Sequence, residues 1–315
     1  YFASSGTLTI ENSTITAKTM GVQVCSGSLN ISGEKSKIAV KGDAVEKTEN
    51  DGAIEDGAAI SIVNRPGYKG LGTITISGGT FTAKSGNSAL KAYTWKDRTE
   101  SAFDNGTIAV SGGTFSTAVD AKYCASEYIP TANADGTYGV KKGAYVAAIG
   151  ETKYETLAEA IAAANDNDTV KLLADAPQEG AQLVIPKDKK LTLDLNGQTL
   201  KVSKYTANAA QVSVFGALTV TDSSEKQSGV ICSDYTGTAG LVVQVEKGGK
   251  LTMAGGTITT DGMANAGNAV KVVSGGEVEM TGGTIRCDAK RGNRAVNVYG
   301  NFTMTGGFVV ADAGD

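Results

Sequence analysis

Histidine is missing altogether from these 315 residues. That removes His-based catalytic triads and imidazole metal sites together. Cysteine is sparse, at 4 residues, too few for a disulfide framework in a chain of this length. No CxxC occurs, so no zinc pattern can be assembled. Cys232 and Cys287 fall two repeats apart, about 10 Å, too far to bridge. Free thiols packed as small apolar groups are expected, and no histidine exists to activate one as a nucleophile. Net charge is also small, only −4, so bulk attraction to nucleic acid is not expected. No run approaches 18 apolar residues, so no membrane span is expected. The opening "YFASSGTLTI" has no charged-then-apolar leader and already reads as repeat sequence, as in a piece of something longer.

What is present in excess is glycine, 41 residues against 4 prolines. Mixed with Thr, Val and Ile and lacking collagen periodicity, it points to many short strands and tight turns. Much of it lies in one recurring phrase: "LTMAGGTITTD" (251–261), "VEMTGGTIRCD" (278–288) and "FTMTGGFVVAD" (302–312). Aligned on Gly-Gly, the copies expose a unit of about 25 residues, a solenoid period. Each unit holds three short runs. One alternates before Gly-Gly, one follows it, and the third is of the type A-V-x-V, as at Ala269–Val272 and Ala295–Val298. Alternation at period two puts one face in and one face out.

Earlier copies are "GTLTIENSTITAK" (6–18), "GTITISGGTFTAK" (72–84) and "GTIAVSGGTFSTA" (106–118). The third run returns as "GVQV", "AAISIV", "ALKAY", "AQVSVF" and "LVVQV". Three strands per turn with inward Val, Ile or Leu predict an all-β fold, a three-stranded parallel β-helix whose coils stack at about 4.8 Å. Gly-Gly fits the sharp bend between the first two strands.

These repeats resemble right-handed, three-stranded β-helix proteins of the pectate-lyase-like group. They also resemble Gly-Gly-Thr-rich repetitive surface proteins of gut Firmicutes. The segment "SGGTFSTAVDAKYCASEYIPTANADGTYGV" (111–140) is similar to a terminating element of such proteins, and "YETLAEAIAAANDNDTVKLLAD" (154–175) to the opening segment of a β-helix. The resemblance implies a bacterial cell-surface protein. It says little of activity, because β-helices host many unrelated ones.

The opening segment can be read without the family. Thr156 caps a helix, with Glu159 completing a capping box. Leu157, Ala160, Ile161 and Ala164 form an apolar stripe. A helix over about 155–165 is expected to cover the open end of a solenoid. Two consecutive solenoid segments follow: 1–122, a connector over 123–153 with a β-hairpin within Gly136–Gly150, and 154–315.

Two groups of residues carry candidate chemistry. Asp234, Asp261, Asp288 and Asp312 each follow an inward residue by three positions, so stacking would place them about 5 Å apart. Like charges so placed repel by roughly 1 kcal/mol per pair even in water, which invites a divalent cation such as Ca²⁺. A row of solvated turn residues is the favoured reading, and no cofactor is expected. The equivalent earlier positions are Lys18 and Lys84. The second group lies in loops after third strands. Tyr68, Tyr93, Trp95 and Arg98, with Lys69, would form one exposed patch whose aromatic faces suit a sugar ring. Pinning of long loops against the rod is the alternative. Lys290, Arg291 and Arg294 make a basic turn explained equally by charge pairing.

The resulting expectation is a non-enzymatic extracellular surface protein, a rigid stalk or adhesion module with a host or microbial glycan or a surface protein as partner. A β-helical lyase or glycosidase is the rival, though the acidic and Arg-bearing patterns of those enzymes are missing. A sugar-binding module centred on Trp95 is the third reading.

Overall fold

The computed structural model describes residues 1–45, 54–95, 107–179, 182–203, 209–235, 240–261, 263, 267–287 and 294–311. The chain forms two compact units, Tyr1–Ala144 and Tyr145–Asp315. Both are nearly all β and built on parallel pairing, an arrangement compatible with an all-β solenoid.

The second unit shows why the repeat works. Its strands belong to three sheets, and the chain visits them in turn. The first sheet stacks Lys190–Asp194, Ala217–Thr221, Lys250–Met253, Glu277–Met280 and Asn301–Met304 in parallel register. Its inward positions form the ladders Leu191–Leu218–Leu251–Val278 and Leu193–Val220–Met253–Met280. The second sheet contributes Leu200, Ile231, Ile258 and Ile285. The third contributes Val212, Val243 and Val270 with Val214, Val245 and Val272. All these side chains are buried in one core. Each buried aliphatic stabilises by about 1.5–3 kcal/mol relative to exposure, a gain that one repeat alone could not collect.

The Gly-Gly corner has two separate causes, seen at Gly282–Gly283. A Cβ on Gly282 would lie 2.4 Å from the carbonyl oxygen of Ala254 in the preceding repeat. Gly283 has φ of 72°, a region costly for other residues. The first glycine makes room for the stack, and the second turns the chain.

The first unit runs the same three ladders through longer strands. Val22–Ser32 pairs with Ile60–Asn64 at its start and with Leu71–Thr82 further on. Leu71–Thr82 later pairs with Lys37–Val40, so the ladders merge into a single ten-stranded sheet. Inward stacks include Leu8–Leu29–Ile74–Ile108 and Ile15–Ile38–Phe81–Phe115. The two phenylalanine rings lie 4.9 Å apart.

Antiparallel strands adjoin the parallel stacks where the units meet in sequence. The connector carries two hairpins rather than one within Gly136–Gly150. Tyr138–Lys142 pairs back to Tyr128–Ala132, and Ala147–Ile149 pairs forward to Thr152–Tyr154. The reason lies in the turns. Gly136 (φ 82°) and Gly150 (φ 57°) each close their own hairpin, and the side chains of Asn133, Asp135 and Thr137 bind one another across the first. The first hairpin touches Phe115 of the first unit, and the second pairs with Thr169–Leu172 of the second unit. Next comes the helix Leu157–Ala163. Thr156 Oγ1 accepts from Glu159 N at 3.1 Å, and a Glu159 carboxylate oxygen accepts from Thr156 N at 3.2 Å. Leu157, Ala160, Ile161 and Ala164 join the core of the second unit beside Val170 and Leu172.

Candidate functional site

In the first unit, the back of the third ladder is covered rather than solvated. Cys25, Val63 and Tyr93 stack there and are buried together with Ile54. The segment around Ile54–Asp56 crosses this face and is tied to it. Gln23 Nε2 donates to the Ile54 carbonyl at 2.9 Å, and Ile54 N donates to Gln23 Oε1 at 2.8 Å. Asp56 Oδ2 accepts from Ser61 Oγ and from the Tyr93 hydroxyl, both at 2.7 Å, and Oδ1 accepts from Ala58 N at 3.0 Å. Tyr93, only 5% exposed, therefore anchors a loop.

Above this layer sits a cluster that does reach solvent. Ile60 pairs with Leu90 and Asn64 with Thr94, so the next residues in register are Arg65 and Trp95. The Arg65 guanidinium lies 3.8 Å from the centroid of the Trp95 ring and 5.2 Å from that of Tyr68. Its Nη1 donates to the Tyr1 hydroxyl at 3.1 Å, and the Tyr1 and Tyr68 hydroxyls are 2.9 Å apart. Trp95 is half-buried, packing on the Cys25–Val63–Tyr93 layer, while Tyr1 and Tyr68 are exposed. Burial pushes the Tyr1 phenol up, helped by its bond to Tyr68 and by Cys25. Burial also pushes the Cys25 thiol up, against the opposing pull of Tyr1 and Arg65. Arg65 itself is buried, only 8% exposed, beneath these rings.

Of the patch expected from sequence, Tyr68 and Trp95 are thus brought together, Tyr93 lies beneath them, and Arg98 is outside the described residues. Arg65 and Tyr1 were missed. The signal for Arg65 was present: aligning "ISIVNR" on "LKAYTW" places it against Trp95. Nothing in the local pattern marks Tyr1.

The aspartate row is described at two of its four positions. Asp234 forms an ion pair with Lys201 Nζ at 3.0 Å. Burial raises its pKa, but hydrogen bonds from Lys201 and Ser203 outweigh this and hold the carboxyl below the usual range. Asp261 is exposed, and its N–H donates to Thr259 Oγ1 at 3.1 Å. Asp288 and Asp312 lie outside the described residues, as do Lys290 and Arg291. Among the described residues no group of three or more Cys, Asp or Glu side chains is placed to hold a metal ion. All four cysteines are free.

Two other aspartates, which the sequence reading passed over, are far more embedded. Asp194 Oδ1 accepts from Asn196 N and from Ser223 N in the next repeat, and Oδ2 accepts from Ser223 Oγ at 2.7 Å. Asp222 Oδ1 accepts from Ser224 N and from Gly197 N in the preceding repeat, and Oδ2 accepts from Gly229 N at 2.6 Å. The two carboxylates stitch successive corners in both directions. Burial raises the pKa of Asp222, and these N–H donors together with Ser224 overcome it and hold it below the usual range. The Asx-turn pattern in "DLNG" and "TDSS" was a visible cue. A pocket of about 280 Å³ lies beside the helix of the second unit, lined in part by Glu155, Thr156, Leu157 and Pro177.

No family model matches the chain, and neither a curated protein nor a solved structure matches it.

Proposed function

We propose that this chain is a non-enzymatic extracellular surface protein in which right-handed, three-stranded parallel β-helical segments form a rigid stalk or adhesion module. The observation that carries the reading is the constancy of register. In the second unit one inward ladder runs Leu193–Val220–Met253–Met280 in unbroken register. Such a stack extends by adding equal rungs of about 4.8 Å and offers a long outer surface. The likeness to repetitive bacterial surface proteins supports the location.

Surface proteolysis of intact producing cells is expected to release its peptides. Release only after lysis would sink the reading.

A further inference from the structure

Each unit has one closed end and one open end. In the second unit the helix Leu157–Ala163 closes the start of the stack, its apolar residues joining the core beside Val170 and Leu172. In the first unit the hairpin strand Tyr138–Lys142 turns back on the last repeat at Phe115. The opposite ends carry no such cover. Val298, Met304 and Val309 hold inward positions in the last repeat of the second unit and are 44, 44 and 42% exposed. The residues they stack on, Val272, Met280 and Ile285, are fully buried. In the first unit Leu8 and Ile15 are half-buried above the buried Leu29 and Ile38. Among the described residues no strand pairs with the outer edges of Asn301–Met304 and Phe308–Ala311, or with those of Phe2–Glu11 and Thr14–Ala17. A strand edge flanked by core side chains is a template for another chain.

Three features say what fits there. The first is spacing. Phe302, Met304, Val309 and Ala311 stand at the same intervals as Leu8, Ile10, Ile15 and Ala17. The second is direction. Both units add repeats by parallel pairing in chain order. The second unit therefore ends on the face that a following repeat covers, and the first begins on the face that a preceding repeat covers. The third is charge. Three positions after the inward residue of the second strand, the first unit carries Lys18, Lys41 and Lys84, whereas the second carries Asp234 and Asp261. Lys18, Lys41 and Asp261 are exposed. By sequence the same position in the last repeat is Asp312, outside the described residues. Stacking a first unit on a second unit thus sets a basic corner row beyond an acidic one. Residues 312–315 are too few to build one more repeat of about 25.

We propose that the open end of the second unit docks on the open end of the first unit of a second copy of this chain. Asn301–Met304 pairs in parallel with residues 7–10 of the next copy, and Phe308–Ala311 pairs with its Thr14–Ala17. Phe302 then meets Leu8, Met304 meets Ile10 and Val309 meets Ile15, so the apolar ladders run on from one copy into the next. The two surfaces differ, and each copy has one of each, so the contact builds open chains or rings.

The test blocks one end at a time in the full chain. A tail variant carries Met304→Lys and Val309→Lys, and a head variant carries Ile15→Lys and Lys18→Glu. Unfolding curves are measured for both, and Lys18→Glu alone, at an exposed position, serves as a second head variant that leaves the packing untouched. In sedimentation velocity the wild type should form species of two chains and more as concentration rises. Each double variant alone should stay a single chain. Mixed in equal amounts they should form a species of two chains and nothing larger, because one intact head meets one intact tail. Lys18→Glu alone should weaken wild-type association about fivefold at low salt and less at high salt. A wild type that stays a single chain at every concentration would overturn the proposal. So would association that persists in either double variant alone, as a tail-to-tail contact or nonspecific apolar clustering would give, or a mixture that forms no pairs. An unchanged association constant for Lys18→Glu at low salt would overturn the register.

Discussion

Gln23, on the strand Val22–Ser32 of the first unit, and Gln211, just before the strand Val212–Val214 of the second, are both fully buried. Their fates differ. The amide of Gln23 clamps the backbone of Ile54 through both of its atoms. Neither Nε2 nor Oε1 of Gln211 finds a hydrogen-bond partner among the described residues. The same residue type is a fastener in one unit and a cost in the other. A buried amide left unpaired forfeits about 1–3 kcal/mol, so what the crossing segment supplies decides its sign.

The aspartates of the second unit make a second comparison. Asp222 is sealed into a corner by backbone donors from two repeats, whereas Asp234 meets a lysine in solvent with 41% of its side chain exposed. Both carboxyls are held below their usual range, for different reasons.

These contrasts rank the expected effects. Asp222→Ala strands the N–H groups of Gly197, Ser224 and Gly229, and a loss of about 3 kcal/mol is expected in denaturant unfolding. A loss below that of Asp234→Asn would break the comparison. Gln23→Leu strands the Ile54 N–H and carbonyl, with an expected cost of about 2 kcal/mol. Gln211→Leu, measured in parallel, should leave stability unchanged or raise it by up to about 1 kcal/mol. A comparable loss in both would show that Gln211 has a partner after all.

Acid titration sharpens the aspartate contrast. A depressed carboxyl contributes fully above the unfolded value of about 3.9 and loses its contribution as pH falls through the lower folded value. Stability should therefore drop below about pH 4, and Asp222→Ala should flatten that drop more than Asp234→Asn does. The smallest effect is expected for Asp234→Asn at neutral pH, about 0.5 kcal/mol, as for an exposed ion pair. An unchanged melting temperature on adding Ca²⁺ or EDTA is the companion measurement. A rise with Ca²⁺ would restore the cation reading of the aspartate row.

The repeat was legible because everything it needs is local. Alternation in "KLTMAGGTIT" names Leu251, Met253 and Ile258 as inward, and all three are fully buried. Thr156 and Glu159 mark a helix start three residues apart, and the side chains close on each other there. The hairpins were harder, since Gly136 and Gly150 each signal a turn without saying which strand pairs across it. The candidate site was legible only in part. Register alone brings Arg65 to Trp95, but Tyr1 reaches them through a contact 64 residues away in sequence.

The sequence by itself therefore determined the period, the inward residues and the glycine corners, because strand alternation and backbone strain act within a few residues. Tertiary structure decided which outward side chains stay outside. Gln23 and Gln211, Tyr93 and Tyr68, Asp222 and Asp234 are pairs of one residue type with opposite surroundings. What separates them is which other segments supply partners, a crossing loop at Gln23 and Tyr93 and neighbouring corners at Asp222, and those are contacts between residues distant in sequence.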